Sequence, residues 1–215
     1  MAGKLLPSVH VGEKVKKEAT WKKLIMCWRD VLNQYLKSEK RYDIPHWHIE
    51  RSHTGFLAAA VWNMGGVALE EYSVERRRIK RRKRRSGKSG RCDLYFHVAG
   101  LDCSVEAKHD WTGEDSDKCE RRIKRKLGAA KRQLCELPAK ERASCGLAVC
   151  WAVPYLQSDA KNDTEVLERI ASRFEDADSI VAVYHVPLKD RQVCEREYDK
   201  QHTHPGVVFI GRFIW

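Results

Sequence analysis

Asp93, Glu106 and Lys108 have the types and spacing to hold a hard metal ion beside a cation. Asp93 lies in Arg91-Cys92-Asp93-Leu94-Tyr95-Phe96-His97-Val98, and Glu106 and Lys108 close Leu101-Asp102-Cys103-Ser104-Val105-Glu106-Ala107-Lys108. Successive side chains of a strand point to opposite faces, so Glu106 and Lys108 share a face and Ala107 points away. If the two runs pair as a hairpin through Ala99-Gly100, Asp93 comes beside Glu106. Such an all-oxygen site suits Mg²⁺ or Mn²⁺. An ammonium group next to it can orient a water or stabilise the charge of a phosphorane-like transition state. An acid two positions before a lysine is most often just a solvated strand edge. Here it follows a strand-like run and stands at hairpin distance from an aspartate.

Other elements must position these groups. From Trp21 to Tyr35 the apolar residues Trp21, Leu24, Ile25, Trp28, Val31, Leu32 and Tyr35 recur at helical spacing, giving an amphipathic helix that serves as core or as a homodimer surface. A second helix is expected from about Glu50 to Met64, with Phe56, Leu57, Ala60, Val61 and Met64 as its stripe and Gly65-Gly66 as its stop. Glu50, Leu57 and Met64 are seven apart and project the same way, so Glu50 points toward the protein body at a helix N-terminus, where negative charge is favoured. Val67–Val74 reads as a first strand. Cys119–Leu137 reads as a helix with Ile123, Leu127, Ala130 and Leu134 inward and a basic outer face. Ala148–Val153 is a buried-looking strand. Asn162-Asp163-Thr164-Glu165 resembles a capping box opening another helix, and Ile180–Val186 and Val207–Ile214 are further strands. The alternation predicts an α/β domain with a mixed central sheet flanked by helices, spanning residues 46–215 and preceded by an N-terminal helical extension over 1–45.

Charge narrows the partner. The 215 residues carry a formal net charge of +11, and 11 of the 16 residues from Arg76 to Arg91 are Lys or Arg. Like charge at that density argues for a loop, 76–91, tethered directly before Asp93. Its Arg81, Arg82, Lys83, Arg84, Arg85, Lys88 and Arg91, with Arg121, Arg122, Lys124, Arg125 and Lys126 of the basic helix, are candidates for phosphate contacts to nucleic acid. No apolar run approaches transmembrane length, and Met1–Gly12 lacks a secretory signal pattern. An intracellular protein is expected, cytoplasmic in a bacterial or phage setting, with nuclear import by the basic run compatible. The eight cysteines form no Cys-x-x-Cys pair and read as reduced core residues. His46-Trp47-His48 and His202-Thr203-His204 lack cysteines at zinc-ligand spacing.

A helix bearing Glu50, a strand, Asp93 on the next, Glu106-Ala107-Lys108 on a third and then a basic helix together resemble the PD-(D/E)xK nuclease superfamily, over roughly Glu50 to Tyr155. The resemblance implies a restriction-endonuclease-like core and a Mg²⁺- or Mn²⁺-dependent nuclease acting on DNA, an endonuclease in restriction, defence, recombination or repair. It implies Asp93, Glu106, the Ala107 carbonyl and Glu50 as metal ligands, with Lys108 positioning the attacking water. Gln133 and His109 are candidate accessory residues. Cys92 stands where the family has proline, and Leu137 where some relatives have a tyrosine after the glutamine. A non-catalytic nucleic-acid or junction-binding module of the same fold and an RNA-directed nuclease are the alternatives.

Overall fold

The computed structural model describes residues 4–39, 43–76, 88–113, 116–157, 162–186 and 202–215. Among the described residues, seven strands form one mixed sheet. They are β1 (Lys4–Val11), β2 (Val67–Arg76), β3 (Lys88–Val98), β4 (Leu101–Thr112), β5 (Cys145–Pro154), β7 (Ser179–His185) and β9 (Gly206–Phe213), in the spatial order β1-β7-β9-β5-β4-β3-β2. Two short strands, β6 (Leu156–Gln157) and β8 (His202–Thr203), pair separately. β4 and β5 run parallel, joined by the crossover helix α3 (Ser116–Cys135), while the other neighbours in the sheet are antiparallel. The expected α/β architecture with a mixed, helix-flanked sheet is present.

Alternation along the strands divides the core between two layers. Leu94, Phe96, Val105, Ala107, Val149, Trp151 and Phe209 pack with α1 (Glu18–Ser38) and α2 (Glu50–Asn63). Cys150, Ala152, Val183 and Ile210 pack with α3 and α4 (Asp163–Ser172) on the opposite face. β5 is buried on both faces, which accounts for its unbroken apolar sequence. The hairpin between β3 and β4 turns through Ala99 (φ 46°) and Gly100 (φ 72°), the paired positive φ of a type I′ turn.

Four expectations need correction. The N-terminal segment is no separate helical extension, because β1 pairs with β7 and α1 belongs to the main core. The stripe of α1 is no dimer surface: Trp21, Leu24, Ile25, Trp28 and Leu32 are buried against the sheet. The basic segment is shorter than 76–91, since β2 and β3 pair from Val67↔His97 out to Arg76↔Lys88. Arg76, Lys88 and Arg91 are therefore strand residues. α4 begins as expected, but Asn162 makes no side-chain cap; the Asp163 carboxylate instead accepts the Thr164 N–H at 2.7 Å. Seven of the cysteines are free thiols, and Cys194 lies outside the described residues. Among the described residues, no helix is long and apolar enough to cross a membrane.

Candidate metal centre

The site forms where two strands part. β3 and β4 are paired from the turn out to Leu94↔Val105, after which β4 continues beside β5 and β3 continues beside β2. Asp93 and Glu106 occupy the next step on either side of that parting. The Asp93 side chain fills the place of a ladder hydrogen bond, its Oδ2 accepting the Ala107 N–H at 2.8 Å. Lys108 Nζ lies 3.6 Å from Asp93 Oδ2 and 3.3 Å from Glu50 Oε1, and it also donates to the Ala107 carbonyl. The hairpin supplies the acid and the amine, and the first turn of α2 brings in Glu50. Glu50 and Asp93 both contact Lys108, and Glu106 stands close enough to feel the Asp93 and Lys108 charges.

Burial dominates the electrostatics of the carboxyl groups in this notch. Burial raises the Glu50 carboxyl above its ordinary range, opposed by the Lys108 charge and by a hydrogen bond from the His109 backbone. Glu106 is fully buried. Its Oε1 accepts from Arg76 Nη2 at 2.5 Å, while Oε2 has no hydrogen-bond partner among the described residues. Burial, and then the Asp93 charge, push Glu106 up to about 8 against the pull of Arg76. Folded Glu106 thus keeps its proton over a range in which an unfolded glutamate, with its ordinary value of 4.5, has lost it. The folded state binds more protons there, so stability without metal falls as pH rises from about 4.5 through about 8. Glu106→Gln should therefore lose stability less steeply than the parent in chemical denaturation between about pH 5 and pH 9. Parallel pH profiles for the two proteins would refute that assignment.

Beside Asp93, a cavity of about 40 Å³ is lined by Glu50, Arg51, Thr54, Glu70, Glu71 and Asp93. That is room for an ion with a water. Glu71 (φ 46°) faces the Asp93 position in the β2–β3 ladder and pairs with Arg91 at 2.6 Å. Among the described residues, no three Asp, Glu, His or Cys groups are gathered as a metal cage. Lys108 and Arg76 stand among the carboxylates instead. The donor chemistry nevertheless fits Mg²⁺ or Mn²⁺, which keep several waters and need only one or two carboxylates. Among the described residues Glu106 Oε2 is a buried oxygen without a partner, and Asp93 is its neighbour; the cavity beside Asp93 is bordered by Glu50, Glu70 and Glu71 and not by Glu106. The Ala107 carbonyl is occupied by Lys108 here.

The remaining candidates separate. His109 points to the α1–α2 side and stacks on His53 at 5.7 Å, which stacks on Trp151 at 5.2 Å. Burial lowers the two imidazoles to about 4 and about 3, so both are neutral, and His109 meets the site through its backbone hydrogen bond to Glu50. Gln133 does reach the neighbourhood: its backbone carbonyl accepts from Arg76 Nη1 at 3.0 Å, and its side-chain Oε1 is buried without a partner. Arg121, Arg122, Lys124 and Arg125 are exposed on α3 and Lys126 is half-buried. Arg122 pairs with Asp110 at 3.0 Å and Lys124 with Glu120 at 2.5 Å. Arg81, Arg82, Lys83, Arg84 and Arg85 lie outside the described residues, as does the side chain of Lys88. His46 bonds the His204 carbonyl at 2.7 Å, whereas His48 bonds Asp43 at 2.8 Å. Arg76 and Glu71 are the neighbours that the sequence pattern did not single out. Comparison with protein-family models, curated proteins and solved structures returns no match for this chain.

Proposed function

We propose that the chain is a Mg²⁺- or Mn²⁺-dependent nuclease that hydrolyses phosphodiester bonds in DNA, an endonuclease built on a restriction-endonuclease-like core of the PD-(D/E)xK type. The observation that carries this reading is Lys108 Nζ held between Glu50 and Asp93 at the parting of β3 and β4, with buried Glu106 alongside. Asp93 and Glu106 would hold the metal with Glu50 in support. When bound, the metal supplies Lewis-acid stabilisation of phosphoryl charge and an acidified water. Lys108, anchored by two carboxylates, orients a water and offsets negative charge developing on the phosphoryl group. Glu50 fixes the direction of the Lys108 ammonium. The +11 charge and the basic face of α3 favour a polyanionic substrate gripped mainly by its backbone.

A second reading, a nucleic-acid-binding module without catalysis, is favoured by the occupation of Glu106 by Arg76. Incubation with single-stranded, duplex and branched DNA and with RNA, in Mg²⁺, in Mn²⁺ and in chelator, separates the two. Cleavage of DNA only with metal supports the nuclease; binding without cleavage of any substrate supports the module, and cleavage confined to RNA replaces the DNA assignment. Replacing Arg81 to Arg85 with glutamine should weaken DNA binding and reduce the slope of log affinity against log salt by up to about 4, without altering metal affinity. An unchanged slope in a binding titration removes the phosphate role of that segment.

A further inference from the structure

Arg76 ends β2 and turns its side chain inward, where only 14% of it remains exposed. The path is cut by Gly90 on the paired strand. A Cβ at position 90 would stand 2.6 Å from Arg76 Nε and 2.7 Å from Cδ, so a residue without a side chain leaves the groove in which the arginine lies. At its end the guanidinium joins three elements. Nη1 donates to the Gln133 carbonyl at 3.0 Å, and Nη2 donates to the Arg91 carbonyl and to Glu106 Oε1 at 2.5 Å. Gln133 lies in the last turn of α3, where its carbonyl also accepts the Glu136 N–H at 3.2 Å, so Arg76 adds a second donor at the helix end.

Two of the three acceptors are neutral carbonyls, and the third is a carboxylate of the proposed metal site. The pairing at Glu106 is one-sided, because Oε2 is buried beside Asp93 with no hydrogen-bond partner among the described residues. We propose that Arg76 is a built-in counter-cation that competes with the divalent ion for Glu106, stabilising the metal-free fold at the expense of metal affinity. This inference rests on the metal-centre reading above. A guanidinium on Oε1 and a divalent ion on Oε2 would repel each other across a single buried carboxylate, so either the ion binds more weakly or the arginine withdraws. Because Arg76 directly precedes the basic run 77–87, a phosphate that attracts the guanidinium would release Glu106 to the metal. Nucleic acid and metal would then each favour binding of the other, as reciprocal coupling requires.

The test is calorimetric titration of Mn²⁺ into the full chain, its Arg76→Met and Arg76→Lys variants and Asp93→Ala, with thermal melts establishing that each is folded. Arg76→Met should bind Mn²⁺ about tenfold tighter than the parent and gain more melting temperature on saturation. Arg76→Lys, which keeps a cation, should fall between the two. Equal or weaker Mn²⁺ binding by folded Arg76→Met, with binding by the parent that Asp93→Ala removes, overturns the competition and leaves the metal centre standing. Absence of Mn²⁺ binding in the parent and in Arg76→Met overturns both. If Arg76→Met fails to fold, Arg76→Lys with parental affinity and a parental melting shift overturns the proposal, and a tighter affinity upholds it.

Discussion

Lys108→Ala should lower the single-turnover rate of DNA cleavage by about 10²- to 10⁴-fold while changing substrate affinity only a few-fold. The ammonium has 19% of its side chain exposed and is held by Glu50 and Asp93 at 3.3 and 3.6 Å, so its position is set by the protein before substrate arrives. A group fixed in that way contributes to the transition state without having to be ordered during the reaction. The same geometry limits the damage to folding, because Asp93 keeps its hydrogen bond to the Ala107 N–H when the lysine is gone. Glu50→Gln should fall between the parent and Lys108→Ala, since it loosens the lysine without removing it. The split between rate and affinity is the diagnostic measurement. A loss confined to affinity would make Lys108 an ordinary phosphate contact.

Trp28→Ala should destabilise the fold by about 3–5 kcal/mol, the range for removing a buried aromatic side chain. Trp28 is fully buried on α1, with ring centroids 5.7 Å from Trp151 and 6.1 Å from both Tyr184 and Phe209. Its neighbours belong to β5, β7 and β9, so the cavity would open at the centre of the larger core rather than at a surface that can collapse. Trp151 in turn stacks on His53 of α2, the helix whose first turn carries Glu50. Loss of Trp28 should therefore weaken the site along with the fold. Trp28→Phe should cost much less, because it retains an aromatic ring and removes an indole N–H that is buried without a partner. Urea titrations of the three proteins give the comparison; an alanine variant within 1 kcal/mol of the parent would mean that this packing is not what secures α1.

Local patterns carried the residues of the candidate site further than its surroundings. Strand alternation and the Ala99-Gly100 turn bring Asp93, Glu106 and Lys108 together, and helical periodicity brings Glu50 to the same point. These are short-range signals with a fixed period. β1 was not legible because its sequence contains Pro7 and few strand-forming residues; it is an edge strand whose register shifts between Leu6 and His10, where a proline is tolerated. The aromatic stripe of α1 announced that the helix packs on something, but periodicity cannot distinguish a sheet from a second subunit. Arg76 was hidden by its own composition. In a run of arginines it looks like part of a solvated loop, whereas pairing with Lys88 and the space above Gly90 turn this one inward. The opposing Glu71 likewise follows from the β2–β3 register, a long-range feature.

Single-turnover cleavage of duplex DNA by the parent protein and by Asp93→Asn, across a Mg²⁺ and Mn²⁺ series and in chelator, tests the central claim most directly. Asp93→Asn keeps an oxygen that can accept the Ala107 N–H, so the strand junction is preserved while the carboxylate charge is removed. The expected result is cleavage by the parent that rises with metal concentration and vanishes in chelator, with at least about a hundredfold loss in Asp93→Asn. Equal cleavage by both proteins, cleavage that persists in chelator, or binding of DNA by both without any cleavage would contradict the assignment of Asp93, Glu106 and Lys108 as a metal-dependent phosphodiesterase centre.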